Sequence, residues 1–372
     1  MDDGAPDRAH RRPSLLWAVV PLAILGVIAA LVIVDRQGDD TEPAATTTSA
    51  MTTETTIVPA GRWDLVDANQ PMSVLPYAGL GAWVDVFDFD PAYQDGGRAP
   101  VVTADDLAIM AAAGVETVYL QAARLDDRSP DGLAAPDLVA TWLDTAAELE
   151  LDIVAWYLPT FADVDADLER LDLLRRFETG RGNRFAGVGV DIEFRGAVED
   201  DAVRSARLVE LSSRLTEIGL PGDAWSGIVL PPTLLEVVNP DFWPGFPWAG
   251  IAPHYEVWMP MSYWTGRTEA SGLRDGLDYN VDAVRRLRAN IADPDAIVHS
   301  IGGIGDETTE GQLRDFVVSL GVTGSIGGSI YDYRTLSSGG WAVLRDGVAD
   351  AVAPIPPVDE SPLDEPPDAD DP

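Results

Sequence analysis

Short apolar runs alternate with amphipathic segments eight times along most of this chain. The runs that predict strands are 79–87, 115–121, 151–159, 185–193, 225–231, 255–263, 296–302 and 323–332. Most of them precede a stretch with helical spacing of apolar residues, such as the one predicted to begin with Thr103 as N-cap and to end at Gly114. Eight strands, most followed by a helix, in about 290 residues predict an α/β fold, a (β/α)8 TIM barrel over residues 63–352.

One connection departs from this alternation. Residues 232–253, between the fifth and sixth strands, contain too much Pro, Trp and Gly for a regular helix, so we expect an elaborated loop there. A doubly wound parallel sheet is the alternative fold. No glycine-rich phosphate-binding turn follows the first strand, which favours the barrel.

A long apolar run precedes the barrel. Residues 15–34 form 20 positions without a charge, and at about 1.5 Å per helical residue they span about 30 Å, the thickness of a hydrocarbon core. We therefore predict one transmembrane helix over 14–35. A cleaved signal peptide is the competing interpretation, but its apolar region is usually only about 7 to 15 residues long and ends at a small-residue cleavage site.

The flanking segments predict the topology and two tethers. Arginines occur in residues 1–13 and acidic residues follow the span, so the positive-inside rule places the N-terminus in the cytoplasm and the barrel outside the cell membrane. Residues 36–62 are rich in Thr, Ala and Pro and predict a flexible linker. Residues 353–372 combine proline with acid and predict a disordered tail.

Composition excludes several kinds of partner. The formal net charge is -37, and all 25 basic residues are arginine, which argues against nucleic acid because phosphate binding needs clustered positive charge. There is no cysteine, so thiolate chemistry and thiolate metal sites are excluded. His254 and His299 have no carboxylate at metal-ligand spacing, so we predict no metal and no cofactor.

The fourth strand, FAGVGVDIEF at 185–194, ends in two acidic residues. Alternate residues of a strand point to the same side, so Asp191 and Glu193 share a side with Gly187 and Gly189. The other side of this strand is aliphatic and suits packing under helices. In barrels of this kind active sites form at the C-terminal ends of the strands, which makes Asp191 and Glu193 candidate catalytic residues at the barrel mouth.

Other strand ends add acid, amide, phenol and indole groups to the same mouth. Carboxylates that hydrogen-bond hydroxyls, beside aromatic faces that pack on C–H groups, suit a sugar rather than a phosphorylated ligand. The residues we predict to bind substrate are Asp85, Gln121, Tyr263, Trp264, Tyr331 and Asp332.

Two short motifs resemble those of a known family. The VDIE ending is similar to the closing D-x-E of the D-x-x-D-x-D-x-E motif in family 18 glycoside hydrolases, the chitinase-like barrels, and MSYW at 261–264 resembles their M-x-Y-D. The resemblance implies that Glu193 is the general acid. It implies that Asp191 orients that acid and stabilises an acetamido group of the substrate, to which Tyr263 adds a hydrogen bond.

The chain also departs from that motif. Ala186 and Gly189 stand where the first two aspartates would be, and Trp264 stands in place of the aspartate on strand six. As a substitute for that aspartate, Trp264 is predicted to be a stacking platform for sugar. The D-x-E ending alone also resembles the lysozyme-like family 25 barrels, so the family stays unresolved between the two.

The chemistry of this pair is coherent without a family name. Glycoside hydrolysis needs a carboxylic acid that is protonated near neutral pH, and repulsion from Asp191 would raise the pKa of Glu193. The second group, nucleophile or base, could be Asp85, Asp332 or the substrate itself.

We therefore predict a membrane-anchored, extracytoplasmic glycoside hydrolase that acts on an envelope or environmental polysaccharide or oligosaccharide. The alternative is a catalytically inactive carbohydrate-binding or cell-envelope interaction protein on the same barrel. The missing aspartates favour that alternative, whereas the D-x-E ending favours the enzyme.

Overall fold

The computed structural model describes residues 61–355 of the 372-residue chain. Within them the strands, β1 to β10 in chain order, are Trp63–Leu65, Gly79–Val84, Thr117–Gln121, Asp152–Tyr157, Phe177–Thr179, Gly187–Ile192, Ser226–Val229, Val257–Pro260, Ile297–Ile304 and Gly327–Tyr331. The α-helices, α1 to α9, are Val86–Phe89, Asp106–Ala112, Pro136–Glu148, Val164–Arg176, Asp201–Ile218, Trp248–Ile251, Gly276–Asn290, Glu310–Thr323 and Ser338–Ala351.

Eight of these strands pair in parallel and close into a barrel in the order β10, β2, β3, β4, β6, β7, β8, β9. Seven of the eight predicted apolar runs contain one whole barrel strand each, and the run 296–302 covers all of β9 except its last two residues. The last strand, β10, pairs with the first, β2, as well as with β9. This closure confirms the (β/α)8 barrel and rules out the doubly wound sheet.

The barrel interior is filled by aromatic rings around a buried histidine. The rings of Trp83 and Tyr119 stack with 4.5 Å between their centres. His299 is fully buried; its Nδ1–H donates to the Tyr77 carbonyl at 2.8 Å, and its Nε2 accepts from the Ser329 hydroxyl at 2.9 Å. Burial lowers the pKa of His299 to about 4, so the ring is neutral and its two bonds fix one tautomer.

The N-terminal end of the barrel is tied together by one buried ion pair. Arg175 of α4 donates to both oxygens of Asp223 at 2.8 and 2.9 Å. The same carboxylate accepts the backbone N–H groups of Met72 and Leu220, each at 2.7 Å. Three segments distant in sequence are thereby joined below the barrel.

A small antiparallel sheet was not predicted. Strands β1 and β5 pair over three residues each, and the ring of Trp63 stacks on Phe177 with 5.3 Å between centres. Three residues carry too little periodicity to be recognised from sequence, because their pairing depends on a partner more than a hundred positions away.

Two local predictions have different outcomes. The connection at 232–253 is irregular as expected, since it contains a π-helical turn over Leu234–Val238 and the single turn of α6. Thr103 is not the N-cap of α2. That helix begins at Asp106, whose carboxylate accepts the backbone N–H of Thr103 at 2.8 Å, so the threonine lies in the preceding turn.

The predicted membrane span at 14–35 lies outside the described residues, together with residues 1–13. The same holds for 36–60 of the predicted linker and 356–372 of the predicted tail. Among the helices of residues 61–355, none combines the length and the apolar character needed to span a bilayer.

Candidate active site

Strand β6 presents its acidic residues at the C-terminal mouth of the barrel. Asp191 is the fifth residue of β6, and Glu193 follows directly after the strand ends at Ile192. Asp191 is 6% exposed and one of its carboxylate oxygens, Oδ1, has no hydrogen-bond partner. Glu193 is half-buried.

The glycines of β6 show which way the acids point. A Cβ on Gly189 would lie 2.9 Å from the Ser226 hydroxyl, and a Cβ on Gly187 would lie 2.5 Å from the Tyr77 hydroxyl. Both glycines therefore face the interior, which Tyr77 fills from below. Since Asp191 lies on the same side of β6, its carboxylate sits directly above this packed layer.

The pKa of Glu193 is raised as the sequence argument expects, but for a different physical reason. Burial raises the pKa of Glu193 to about 7, and this desolvation, rather than Asp191, is its main cause. Burial also raises the pKa of Asp191 well above its usual range, and there the charge of Glu193 adds to the rise. At neutral pH the pair therefore retains a proton, which a general acid requires.

A second group of carboxylates lies at the ends of β2 and β10. Asp85, Asp88 and Asp332 bring carboxylate oxygens within 4.8 Å of one another. Asp85 accepts the backbone N–H of Phe87 at 2.7 Å through Oδ1 and the Tyr331 hydroxyl at 2.7 Å through Oδ2, so both of its oxygens are engaged.

Asp332 is held differently. It is 8% exposed, and its Oδ1 accepts the backbone N–H of Thr335 at 2.9 Å. The side chain of Thr335 adds a second hydrogen bond to this carboxylate. Burial raises the pKa of Asp332, and nearby Asp85 adds to the rise.

Sequence reasoning missed Asp88. This residue is 4% exposed, and burial, followed by repulsion from Asp85 and Asp332, raises its pKa to about 7. Arg334 limits the rise, because its Nη1 lies 3.0 Å from Asp88 Oδ1. The signal was visible, since Asp85 and Asp88 are three apart across a helix start. Among the described side chains, the carboxylates of Asp85, Asp88 and Asp332 are the best placed to hold a cation. Arg334 already supplies a positive charge beside Asp88.

The two acidic groups face each other across the mouth. In the closed order of eight strands, β6 is four positions from β10, and β8 lies midway between them. Tyr263 follows β8, and burial raises its pKa, with further increases from Glu193, Asp191 and Asp332. Its ring centre is 6.3 Å from that of Tyr331. The structure thus brings Asp85, Tyr263, Tyr331 and Asp332 to the same mouth as Asp191 and Glu193.

The Gln121 side chain is buried and bonds to the protein backbone instead of lining the barrel mouth. Its side chain is 1% exposed, and its Oε1 accepts the backbone N–H of Val86 at 3.2 Å. This bond fixes the turn between β2 and α1 that carries Asp85. Gln121 therefore offers almost no surface to a substrate in this structure.

The prediction that Trp264 is a stacking platform is wrong. Its side chain has no exposed surface, and its ring packs against Phe316 of α8 with 5.4 Å between centres. A Cβ on Gly302 of β9 would lie 2.9 Å from the same ring. Trp264 therefore lies on the helix side of the barrel wall, where a sugar cannot stack on it.

Comparison with known proteins agrees with this architecture. A class V chitinase from Pseudomonas fluorescens Pf-5 aligns with a TM-score of 0.50 at 11% sequence identity, covering 73% of this chain and 99% of that chain. The fold is that of the chitinase-like barrels. This confirms the resemblance to family 18 at the level of the fold.

Two further solved structures are similar. The spore cortex-lytic enzyme SleL of Bacillus megaterium QM B1551 aligns with a TM-score of 0.48 at 11% identity, over 73% of this chain and 74% of that one. A family 18 chitinase of Cycas revoluta, in complex with (GlcNAc)4, aligns with a TM-score of 0.48 at 12% identity, over 74% of this chain and 99% of that one. No protein-family model and no curated protein sequence matches the chain.

Proposed function

We propose that this protein is a glycoside hydrolase that acts on an envelope or environmental polysaccharide. The observation that carries the proposal is the pair of buried Asp191 and half-buried Glu193 at the barrel mouth, where desolvation raises the pKa of Glu193 to about 7. A carboxylic acid protonated near neutral pH, with further carboxylates on the opposite side of the barrel mouth, is the arrangement that hydrolysis of a glycosidic bond uses.

Glu193 acts as the general acid in this proposal. Its proton passes to the glycosidic oxygen while the bond from that oxygen to the anomeric carbon breaks and its electron pair stays with the leaving sugar. Asp191, two residues earlier on the same side, is itself buried with a raised pKa, so the two carboxyl groups together hold a proton near neutral pH until the bond breaks.

Asp332 is the best candidate for the second carboxylate. Asp85 has both oxygens engaged, and Asp88 is buried against Arg334. Asp332 makes no ion pair within 4.0 Å among the described residues, and the Thr335 N–H holds its Oδ1 at 2.9 Å. It is therefore free to stabilise positive charge at the anomeric carbon, or to accept a proton from the water that completes the reaction.

Substitution of Glu193 tests the enzyme. Glu193→Gln keeps the shape of the side chain but has no transferable proton, so release of reducing ends from amino-sugar polymers by the full-length protein should fall by about 10²–10⁴-fold. Glu310→Gln, an exposed change on α8, is the matched control and should leave the rate unchanged. Activity that survives Glu193→Gln would exclude Glu193 as the acid.

The second candidate function is an inactive carbohydrate-binding protein. One contact favours it: the space beside Gly189, where the family motif has an aspartate, is closed by the side chains of Ser226 and Ile228. If the wild-type protein binds these polymers without cleaving any of them, and Glu193→Gln binds equally well, the binding function replaces the enzyme.

The location of the barrel is a separate proposal that rests on sequence. We propose that residues 14–35 anchor the protein in the membrane with the barrel outside, because three arginines precede the apolar run whereas only Arg36 follows it, among acidic residues. Protease added to intact cells should then digest the barrel. A barrel that is protected until the cells are lysed would contradict this placement.

A further inference from the structure

Two consecutive aromatic residues from the irregular 232–253 connection pack on arginines that follow β6. The guanidinium carbon of Arg195 lies 4.6 Å from the ring centre of Phe242, and that of Arg204 lies 4.1 Å from the ring of Trp243. Such stacking is attractive because the face of an aromatic ring is electronegative. These contacts hold the connection between β7 and β8 beside the segment that follows β6, where Glu193, the proposed general acid, is located.

One carboxylate serves both arginines. Arg204 is fully buried, donates to the Val198 carbonyl at 2.6 Å and makes a close ion pair with Asp201. The nearest carboxylate oxygen to Arg195 belongs to the same Asp201, at 4.0 Å. Asp201 thus pairs closely with Arg204, and Arg195 has no carboxylate oxygen closer than 4.0 Å among the described residues.

Arg195 also has hydrogen-bonding capacity left over. Its side chain is 37% exposed, and its Nε is buried without a hydrogen-bond partner. Arg128 and Arg334, which also follow barrel strands, have carboxylate oxygens at 2.8 and 3.0 Å. Arg267, which follows β8, has no carboxylate within 4.0 Å either, but its Nε donates to the Tyr263 carbonyl at 3.3 Å, whereas the Nε of Arg195 donates to no described residue.

Arg195 lies on the opposite side of the barrel mouth from the carboxylates at the ends of β2 and β10. It follows β6, which lies across the barrel from the ends of β2 and β10 that carry Asp85 and Asp332. Along the chain it is two residues beyond Glu193, about 7 Å if the segment is extended. An anion bound at Arg195 would therefore avoid the opposite carboxylates yet lie close to the proposed general acid.

We infer that Arg195 and Phe242 form a binding subsite for a sugar residue that carries a carboxylate. The guanidinium can bind a carboxylate through two parallel hydrogen bonds, and the half-buried Phe242 ring offers apolar surface to the sugar's C–H groups. The inference rests on the proposed function for the neighbouring position of Glu193. It narrows the substrate to an acidic polysaccharide and orients its anionic unit toward the β7–β8 connection.

Binding of matched oligosaccharides tests the subsite. The first probe alternates N-acetylglucosamine with its lactyl ether, the second is the same oligomer with its carboxylates reduced to alcohols, and the third alternates N-acetylglucosamine with glucuronic acid. We would measure Kd calorimetrically with the full-length protein carrying Glu193→Gln, which keeps the probes intact. We expect at least one carboxylated oligomer to bind about tenfold more tightly than the reduced one, or about 1.4 kcal/mol. Comparison of the first and third probes identifies the source of the carboxylate.

Variants of Arg195 then locate the effect. In the protein that already carries Glu193→Gln, the substitution Arg195→Gln should abolish the preference for carboxylated oligomers and leave the Kd of the reduced oligomer unchanged. Arg195→Lys should keep part of that preference. The control Arg314→Gln, at an exposed position of α8, should keep the whole preference. Equal Kd values for the carboxylated and reduced probes, no binding of any probe, or equal weakening of all probes by Arg195→Gln would overturn the subsite.

These outcomes are independent of whether the protein is an enzyme. A preference that disappears with Arg195→Gln, in a wild-type protein that cleaves nothing, supports the subsite and refutes the hydrolase. Cleavage by the wild-type protein without any preference for carboxylated probes does the reverse.

Discussion

Replacing Glu193 should stabilise the protein at high pH and not at low pH. Burial raises the pKa of Glu193 from 4.5 to about 7 in the folded state, so the folded protein holds this proton more tightly than the unfolded chain. Stability therefore falls as pH rises from about 4.5 to about 7, because the folded state binds more protons over that range. Above about pH 7 the full cost of the buried charge is present, and below about pH 4.5 it is absent.

The magnitude follows from the same values. A rise in pKa from 4.5 to about 7 corresponds to about 3 kcal/mol. Glu193 is only half-buried and keeps some contact with water, so we expect Glu193→Gln to raise the free energy of unfolding by roughly 1–3 kcal/mol at pH 8.5. Removing the charge also relieves Asp191, whose own pKa is raised in part by Glu193.

Urea denaturation of the full-length protein, followed by tryptophan fluorescence at pH 4.5 and 8.5, measures this difference. The exposed change Glu310→Gln should alter the unfolding free energy by less than about 0.5 kcal/mol at either pH. If Glu193→Gln has the same effect at both pH values, Glu193 is not desolvated, and the electrostatic basis for its role as an acid is lost. This test does not depend on substrate, so it applies equally to an enzyme and to an inactive binding protein.

Three further changes probe the scaffold. Asp223→Asn breaks the buried pair with Arg175 and should lower the unfolding free energy by about 3–5 kcal/mol; a loss below about 1 kcal/mol would mean that the pair is open to water. Gly187→Ala places a methyl group 2.5 Å from a buried tyrosine hydroxyl and should lower the unfolding free energy, measured by urea denaturation, by about 1–3 kcal/mol. The control Gly266→Ala, with no atom within 4 Å of the added methyl group, should leave it nearly unchanged. Equal losses from the two substitutions would contradict the inward packing of Gly187. Trp264→Ala should lower the unfolding free energy by about 3–5 kcal/mol without changing the Kd for oligosaccharides, and weaker binding by a protein of unchanged stability would restore Trp264 to the mouth.

The barrel could be predicted because its strands are encoded locally. Each barrel strand is buried on both sides, so it reads as an apolar run, and the runs recur with helices or loops between them. The same logic placed Asp191 on the inner side of β6, since the alternation of side chains holds to the end of a regular strand. It could not place Arg334 beside Asp88, because the two lie 246 residues apart and meet only when β10 closes on β2.

Trp264 shows where this reasoning stops. The sequence argument extended the sixth strand to Tyr263, but β8 ends at Pro260. The chain then turns, with the backbone N–H of Trp264 bonded to the Ser262 carbonyl at 2.9 Å. Once the strand has ended, alternation no longer determines direction, and this turn places the indole on the helix side of β9. Phe242 and Arg195 were outside the reach of pattern reasoning for a related reason, since neither belongs to a regular element.

Two buried aspartates of the same barrel indicate what its two ends are built for. Asp223, at the N-terminal end, accepts two hydrogen bonds from arginine N–H groups and two from backbone N–H groups. These donors compensate its negative charge in the folded protein. Asp191, at the C-terminal end, is 6% exposed with one oxygen unpartnered, and its nearest acidic neighbour increases the cost of its charge. Burying a carboxylate without partners lowers stability, and an apolar side chain of similar size would avoid that cost. The uncompensated carboxylates of Asp191 and Glu193 therefore lower the stability of the fold, which is the cost we expect if, as proposed, the mouth of the barrel binds or cleaves a substrate.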